Sequence, residues 1–319
     1  MKTKYLITGY SGFVSRHFLN LLESMQEPVI VLGVDITEPE ESVLYSFVEC
    51  SFIKVNLLNK EAVHDVLINF KPDFLLHLAS YSSVAFSWEN PVDAFVNNSN
   101  IFLNLIDQVR LLRLKCRILS VGSSEEYGNV AKEQLPLSEE LPVKPTSPYA
   151  VARVSQEMLS EIYAQSYGID IVLTRSFNHI GPGQKDIFVI SSFAKKLANI
   201  KKSGAKEAKM TVGNIFLTRD FVDVRDVVKA YYLLFNKGKR GEVYNICSGT
   251  GSSLNDIVNE MARILDLTIE TEVDDKLIRP GENQIIIGSN KKIALQTGWQ
   301  PSIPLNVSLK EIIEYWMNK

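Results

Sequence analysis

Residues 5–15, YLITGYSGFVS, decide the fold. An apolar run, Tyr5–Thr8, stops at Gly9, and a second glycine, Gly12, opens an amphipathic segment that begins Phe13-Val14-Ser15. A strand that turns through glycines into a helix brings backbone N–H groups to a helix N-terminus, and the missing Cβ atoms let a pyrophosphate come close. Alone such a loop is a weak signal. It gains weight from Asp35, which ends the next apolar run VIVLGVD (29–35), 23 residues after Gly12. A carboxylate there accepts both hydroxyls of an adenosine ribose, and no Arg or Lys follows closely to receive a 2'-phosphate. The expected ligand is therefore NADH or NADPH, with NADH favoured. Ser15 stands third in the pattern, where glycine is usual, and is expected to widen the helix–strand contact a little.

Five short runs (YLIT, VIVLGVD, FIKV, FLLHLA and RILSVG) alternate with helical stretches between Tyr5 and Val121. That alternation predicts an α/β fold with a doubly wound, Rossmann-like parallel sheet. Long helices are predicted over Pro91–Leu114 and Ser147–Tyr167; the second starts at Ser147-Pro148, a good N-cap followed by a residue tolerated at the first helical position. Beyond IVLTRSFN (171–178) the rhythm breaks at GPGQ (181–184), GTGS (249–252) and RPGEN (279–283). The reading is a dinucleotide-binding domain over 1–178 and a smaller C-terminal substrate lobe over 179–319. One segment near 219–248 is expected to return to the first domain through VYNICS (243–248).

Composition narrows the partners. With 45% apolar residues in 319, the chain can bury a large core. The net charge of -3 is spread without a basic block, so no nucleic-acid partner is expected. Neither an eighteen-residue apolar run nor a cleavable leader pattern is present, so no membrane partner is expected either. Three scattered cysteines, Cys50, Cys116 and Cys247, suit a reduced cytoplasmic setting. Four histidines without paired ligand spacing give no metal site.

The chemistry-bearing residues lie around the carboxyl ends of the strand runs. Tyr149 and Arg153, four apart, share a helix face, and an adjacent cation favours the charged form of a phenol. Ser123 follows the fifth run, where open α/β sheets place their ligands. Together they can exchange a proton with a carbinol or carbonyl oxygen.

TGYSGFVS (8–15), HLAS (77–80), GSSEEYG (122–128), SPYAVAR (147–153) and RSFNHIGPGQ (175–184) resemble the extended short-chain dehydrogenase/reductases, the nucleotide-sugar epimerases and dehydratases. The resemblance spans nearly the whole chain. FNHIGPGQ, VGNIFLTRDFVDVRDVVKAY (212–231) and RPGEN look most like the branch that reduces a GDP-linked 4-keto-6-deoxy sugar.

The resemblance implies NAD(P)H-dependent reduction of the C4 ketone of GDP-4-keto-6-deoxy-D-mannose to GDP-D-rhamnose. It makes Tyr149 the acid/base, Ser123 the hydroxyl on the substrate oxygen, and Arg153 the occupant of the usual lysine slot. If Arg153 replaces that lysine by charge and position, Lys should serve there too. Glu125 falls where the dehydratases keep an eliminating base and is read as orienting the sugar; Glu126 is read as a solvated loop carboxylate. The cofactor set implied is Gly9, Gly12, Phe13, Val14, Asp35, Asn56, Leu57, Leu78, Ala79, Asn98, Tyr149 and Arg153. The substrate set is Asn178, Arg219 and Arg279 near the pyrophosphate, with Glu282 on the nucleotide ribose. The two long helices resemble those through which the family forms homodimers. Two alternatives stay open: GDP-mannose 4,6-dehydration or another nucleotide-sugar 4-epimerisation, kept alive by Glu125, and an NAD-binding sensor that lost turnover through Ser15 and Arg153.

Overall fold

The computed structural model describes residues 2–40, 43–278 and 283–319. The first half runs β1 (Thr3–Thr8), α1 (Phe13–Ser24), β2 (Val29–Asp35), β3 (Val48–Lys54), α2 (Lys60–Phe70), β4 (Phe74–His77), α3 (Val84–Glu89), α4 (Pro91–Leu111), β5 (Arg117–Ser123), α5 (Pro148–Ser166) and β6 (Ile171–Ser176). The second half adds β7 (Asn178–Ile180), α6 (Val189–Lys202), β8 (Glu207–Val212), β9 (Thr218–Asp223), α7 (Val224–Lys237), β10 (Val243–Ile246), β11 (Gly251–Ser253), α8 (Leu254–Ile264), β12 (Thr268–Val273), β13 (Ile285–Ile286), α9 (Lys291–Thr297) and α10 (Leu305–Asn318).

Seven strands form one sheet in the order β10-β6-β5-β4-β1-β2-β3, every pairing parallel. Because helices cover both faces, alternate residues of the inner strands enter different cores and those strands read as largely apolar runs, whereas the edge strand β3 (VECSFIK) is mostly exposed. Ile7, Val31, Leu76, Leu119 and Val172 face α1 and α7, whose Phe18, Leu22, Tyr231, Leu234 and Phe235 are buried with them. Their neighbours Leu6, Leu32, Leu75, Ile118, Ile171 and Leu173 face α2, α4 and α5, against Leu67, Phe102, Leu105, Ile106 and Tyr163. This is the doubly wound sheet expected from the sequence.

A third core, built on Phe193, Leu197, Met210, Ile257, Met261 and Ile312, belongs to the smaller C-terminal lobe. There β9 pairs with β7, β11 and β13 in a second sheet, and β8 pairs with β12. Thus β9 lies in the small lobe, whereas α7 and β10 belong to the large sheet.

The end of α4 differs from the sequence reading. The helix α4 stops at Leu111 because Arg113 takes a left-handed φ of 51° and Leu114 N donates back to Val109 O, turning Leu114 toward the core. The apolar pattern of Leu111, Leu112 and Leu114 mimics one more helical turn. The helix α5 starts as expected: Ser147 Oγ accepts from Ala150 N at 3.1 Å and Pro148 takes the first position.

Candidate active site

The glycine turn is built around close backbone approach. Gly9 has φ 69°, and a Cβ there would lie 2.7 Å from Ala79 N and 2.9 Å from Leu78 C, so only glycine lets β1 leave the sheet against the chain that follows β4. Thr8 Oγ1 fastens that junction, accepting from Ala79 N at 3.3 Å and bonding His77 Nδ1 at 2.9 Å. Burial pushes His77 down to about 3, so it stays neutral. Gly12 caps α1 without a side-chain hydrogen bond, and no acidic residue sits in the first turn, which begins at Phe13 and Val14. The N–H groups and positive end of α1 are thereby left for an anion.

At the rim, Asp35 ends β2; its Oδ2 accepts from Ser11 N at 3.0 Å and its Oδ1 from Ile36 N at 2.7 Å and Thr37 N at 3.2 Å. Asn56 is exposed after β3, its Oδ1 accepting from Leu58 N at 3.0 Å, and Leu57 is buried beside it. A glycine cradle that a Cβ would fill, an uncapped helix end and a strand-ending carboxylate together fit a dinucleotide. Asn98 supports the same site through the loop after β4. It is buried, its Oδ1 accepting from Tyr81 N at 2.7 Å and its Nδ2 donating to Tyr81 O at 3.0 Å, so its amide fixes the loop after β4.

On the catalytic side, Ser123 ends β5 and caps the short 3₁₀ turn Ser124–Tyr127. Its Oγ accepts from Glu125 N at 3.2 Å, which leaves the hydroxyl hydrogen to donate elsewhere. Glu125 is half-buried on that turn. Tyr149 and Arg153 are both buried on α5, and Arg153 Nε donates to the Tyr149 hydroxyl at 3.2 Å.

The rest of the guanidinium is spent on the protein. Nη1 donates to Val121 O at 3.1 Å and Gln156 Oε1 at 2.8 Å, and Nη2 donates to Ser80 Oγ. Arg153 therefore does more than replace a lysine charge: its planar fork ties the tyrosine helix to β5 and to the loop after β4. Ser80 and Gln156 are site residues that the sequence reading passed over. Gln156, one turn after Arg153, was legible from helix spacing; Ser80 was not, since only the fold brings it to α5.

Glu126 requires a correction. It is completely buried, because the turn directs it inward, where Oε1 accepts from Ser123 N at 2.6 Å. The Ser-x-x-Glu spacing of 123–126 is that of a capping box and was readable in the sequence.

On the lobe side, Asn178 and Arg219 sit on neighbouring strands, β7 and β9, with Asn178 opposite Phe221. Arg219 Nη1 donates to Thr218 O at 3.0 Å. The segment after β7 packs over the start of α1: His17 Nε2 donates to Pro182 O at 3.0 Å, and the His179 ring lies parallel to Phe13 at 6.3 Å. Burial lowers both histidine pKa values, and His179 Nδ1 bonds Phe177 O. Arg279 and Glu282 lie outside the described residues. Asn283, which follows them, donates to Gly128 O at 2.8 Å, joining this part of the lobe to the turn that carries Ser123 and Glu125. Among the described residues no His/Cys/Asp/Glu group could hold a metal, and no helix is long and apolar enough to cross a membrane.

The fold and this arrangement define an extended short-chain dehydrogenase/reductase, the class whose nucleotide-sugar enzymes use NAD(P). More particularly, the chain belongs to the GDP-mannose 4,6-dehydratase family, whose model matches residues 6–313. It is 32% identical to the GDP-6-deoxy-D-mannose reductase of Pseudomonas aeruginosa over all of this chain and 99% of that one. The structure of RMD from Pseudomonas aeruginosa complexed with NADPH matches with a TM-score of 0.86, at 32% identity and 99% coverage of both chains. The UDP-glucose 4-epimerase of Thermotoga maritima with UDP-glucose matches with a TM-score of 0.88, at 26% identity and 99% coverage of both.

Proposed function

We propose that this enzyme reduces the C4 ketone of GDP-4-keto-6-deoxy-D-mannose to GDP-D-rhamnose. The observation that carries the chemistry is the buried Arg153–Tyr149 hydrogen bond at the carboxyl end of β5; the full-length likeness to a GDP-6-deoxy-D-mannose reductase supports the substrate. A bound NADH or NADPH supplies the hydride delivered to C4. Tyr149 gives its hydroxyl proton to the carbonyl oxygen, and Arg153 holds that hydroxyl in place. The Ser123 hydroxyl, its lone pair engaged by Glu125 N, donates to the same oxygen and stabilises the charge that develops there.

Gly9, Gly12, Phe13, Val14, Leu78 and Ala79 form the dinucleotide cradle, with Asp35 on the adenosine ribose and Asn56 and Leu57 near the adenine. NADH is the favoured cofactor because a carboxylate repels an added phosphate. Asn178, Arg219 and Arg279 are assigned to the GDP pyrophosphate and Glu282 to its ribose, and Glu125 orients the sugar. The substrate lobe is 179–319 without α7 and β10, which complete the dinucleotide domain. The molecule is a cytoplasmic homodimer, a reading supported by three free cysteines and by exposed apolar side chains on α4 (Val92, Phe95, Val96) and α5 (Val151, Met158, Ile162).

The test is stoichiometry. A reductase must exchange spent for fresh cofactor at every turnover, whereas a dehydratase returns the hydride it took. With the 4-keto sugar, NADH should disappear one-for-one with product, and GDP-mannose with catalytic NAD should yield no ketone. Ketone formation from GDP-mannose at a comparable rate would make Glu125 an eliminating base and replace the reductase reading with the dehydratase one.

A further inference from the structure

The turn that carries Ser123 rests on a carboxyl group that the reaction itself does not use. Glu126 is wholly shielded from solvent, and Ser123 N donates to its Oε1 at 2.6 Å. Its Oε2 is buried with no N–H or O–H donor in reach, and the carboxyl of Glu157 on α5 acts on the Glu126 carboxyl both as a charge and as a hydrogen-bonding neighbour. Glu157 is already engaged by Arg175 of β6, whose Nε and Nη2 reach its two oxygens at 2.9 and 2.6 Å. Arg175 in turn lies over the Tyr127 ring at 4.7 Å.

One cation thus faces two carboxyl groups. An arrangement of this kind, sealed from water, is satisfied only if a proton lies between the acids: Glu126 then donates to Glu157 through Oε2 while accepting from Ser123 through Oε1. Burial and the Glu157 charge both act in this direction, holding the Glu126 carboxyl well above the ordinary carboxylate range. Space for the group is reserved in the strand. A Cβ at Gly122 would fall 2.4 Å from Glu126 Oε1 and 2.5 Å from Thr174 O, so any larger residue there would evict the carboxyl.

We propose that Glu126 is a positioning residue, a neutral acid that fixes the backbone of Ser123 against α5 and thereby sets the distance between the Ser123 and Tyr149 hydroxyls. This rests on the role given above to Ser123. The two residues at the ends of the link come from different elements, β5 and α5, so the bridge Ser123–Glu126–Glu157 ties the hydroxyl donor to the helix that carries the acid. Arg175 anchors the same bridge to β6.

The test uses three variants of the intact enzyme with NADH and the 4-keto sugar. In Glu126→Gln, the amide oxygen accepts from Ser123 N and the amide nitrogen donates to Glu157, so kcat should stay within roughly threefold of wild type. Glu126→Val leaves both groups unpartnered and should lower kcat roughly 10- to 100-fold, with little change in KM for NADH. Ser123→Ala serves as the reference for loss of the hydroxyl.

A non-titrating Gln also exposes the proton. A carboxyl whose folded pKa is raised stabilises the fold below its unfolded pKa and loses that contribution as pH rises through the folded value, so the thermal midpoint of Glu126→Gln should gain on wild type with rising pH. Infrared spectra at neutral pH should show a protonated-carboxyl band in wild type that Glu126→Gln lacks. A Gln variant impaired roughly tenfold or more relative to wild type, or no such band, overturns the proposal, and both of these tests hold even where the Val variant fails to fold. An unimpaired Val variant beside an impaired Ser123→Ala overturns the positioning role alone. An unimpaired Ser123→Ala overturns the role of Ser123 and, with it, what Glu126 was placed to serve.

Discussion

At the scale of single residues, the arrangement turns on how Tyr149 is held. Tyr149→Phe removes only the oxygen that meets Arg153 Nε and is expected to slow turnover roughly 100- to 10,000-fold while leaving cofactor affinity largely intact. Stopped-flow hydride transfer and NADH titration measure the two separately, and near-native turnover would eliminate Tyr149 as the acid. Arg153→Lys is the sharper substitution. Read from sequence, a lysine there should serve; the structure argues the opposite. A lysine cannot reach the Tyr149 hydroxyl, Val121 O, Gln156 and Ser80 together as the guanidinium does. The Lys variant should therefore lose roughly 10- to 100-fold in kcat, and full activity in it would mean that charge alone suffices. Glu126 teaches a related lesson: its capping-box spacing could be read in the sequence, but its burial against Glu157 could not, because Glu157 lies 31 residues away.

Elements decide how the cofactor is met. The passage from β1 through Gly9 and Gly12 into α1 was legible because each glycine has a local backbone reason: a positive φ at the first, an open helix cap at the second. Gly9→Ala combines a left-handed φ, worth about 1–2 kcal/mol of strain for a residue with a Cβ, with the contact to Ala79 N. It should abolish measurable NADH binding by fluorescence or calorimetry and lower the thermal midpoint; unchanged affinity would show that the cofactor lies elsewhere. At the end of β2, Asp35→Ala should narrow the preference for NADH over NADPH in kcat/KM, and a wild-type preference for NADPH would refute the assigned role. Asn98, which the resemblance assigns to the cofactor, grips the backbone of Tyr81. Helix position alone does not reveal which neighbouring loop consumes a buried amide.

For the whole molecule, the outer faces of α4 and α5 carry the assembly question. Val151, Met158 and Ile162 are exposed on α5, at spacings that keep them on one side of the helix, and Val92, Phe95 and Val96 are exposed on α4. A pair of such faces buried against a second copy would remove them from water; left open they form an apolar surface on a molecule whose helices otherwise cover their sheet. Ile162→Glu is expected to convert a dimer to monomers in analytical ultracentrifugation, with catalysis in the monomer testing whether the site is complete in one chain. A wild-type enzyme that sediments as a monomer at micromolar concentration would dispose of the dimer.

The order of amino acids specified the parallel sheet, the glycine turn, the strand-ending Asp35 and the Tyr149–Arg153 face, since each depends on spacing within a few residues or on the period of a strand or helix. It also carried the motifs of the second lobe. What it left undecided was how distant segments share one volume. Only the tertiary structure keeps β9 in the small sheet while β10 returns to the large one as expected, brings Ser80 from the end of β4 to the Arg153 fork, and folds the segment after β7 over the start of α1. It alone seals Glu126 beneath Ser123. The physical reason is common to all four. Hydrogen bonds and burial depend on what lies within a few ångströms, and a chain's local periodicity fixes the direction of a side chain without naming the distant group it will meet.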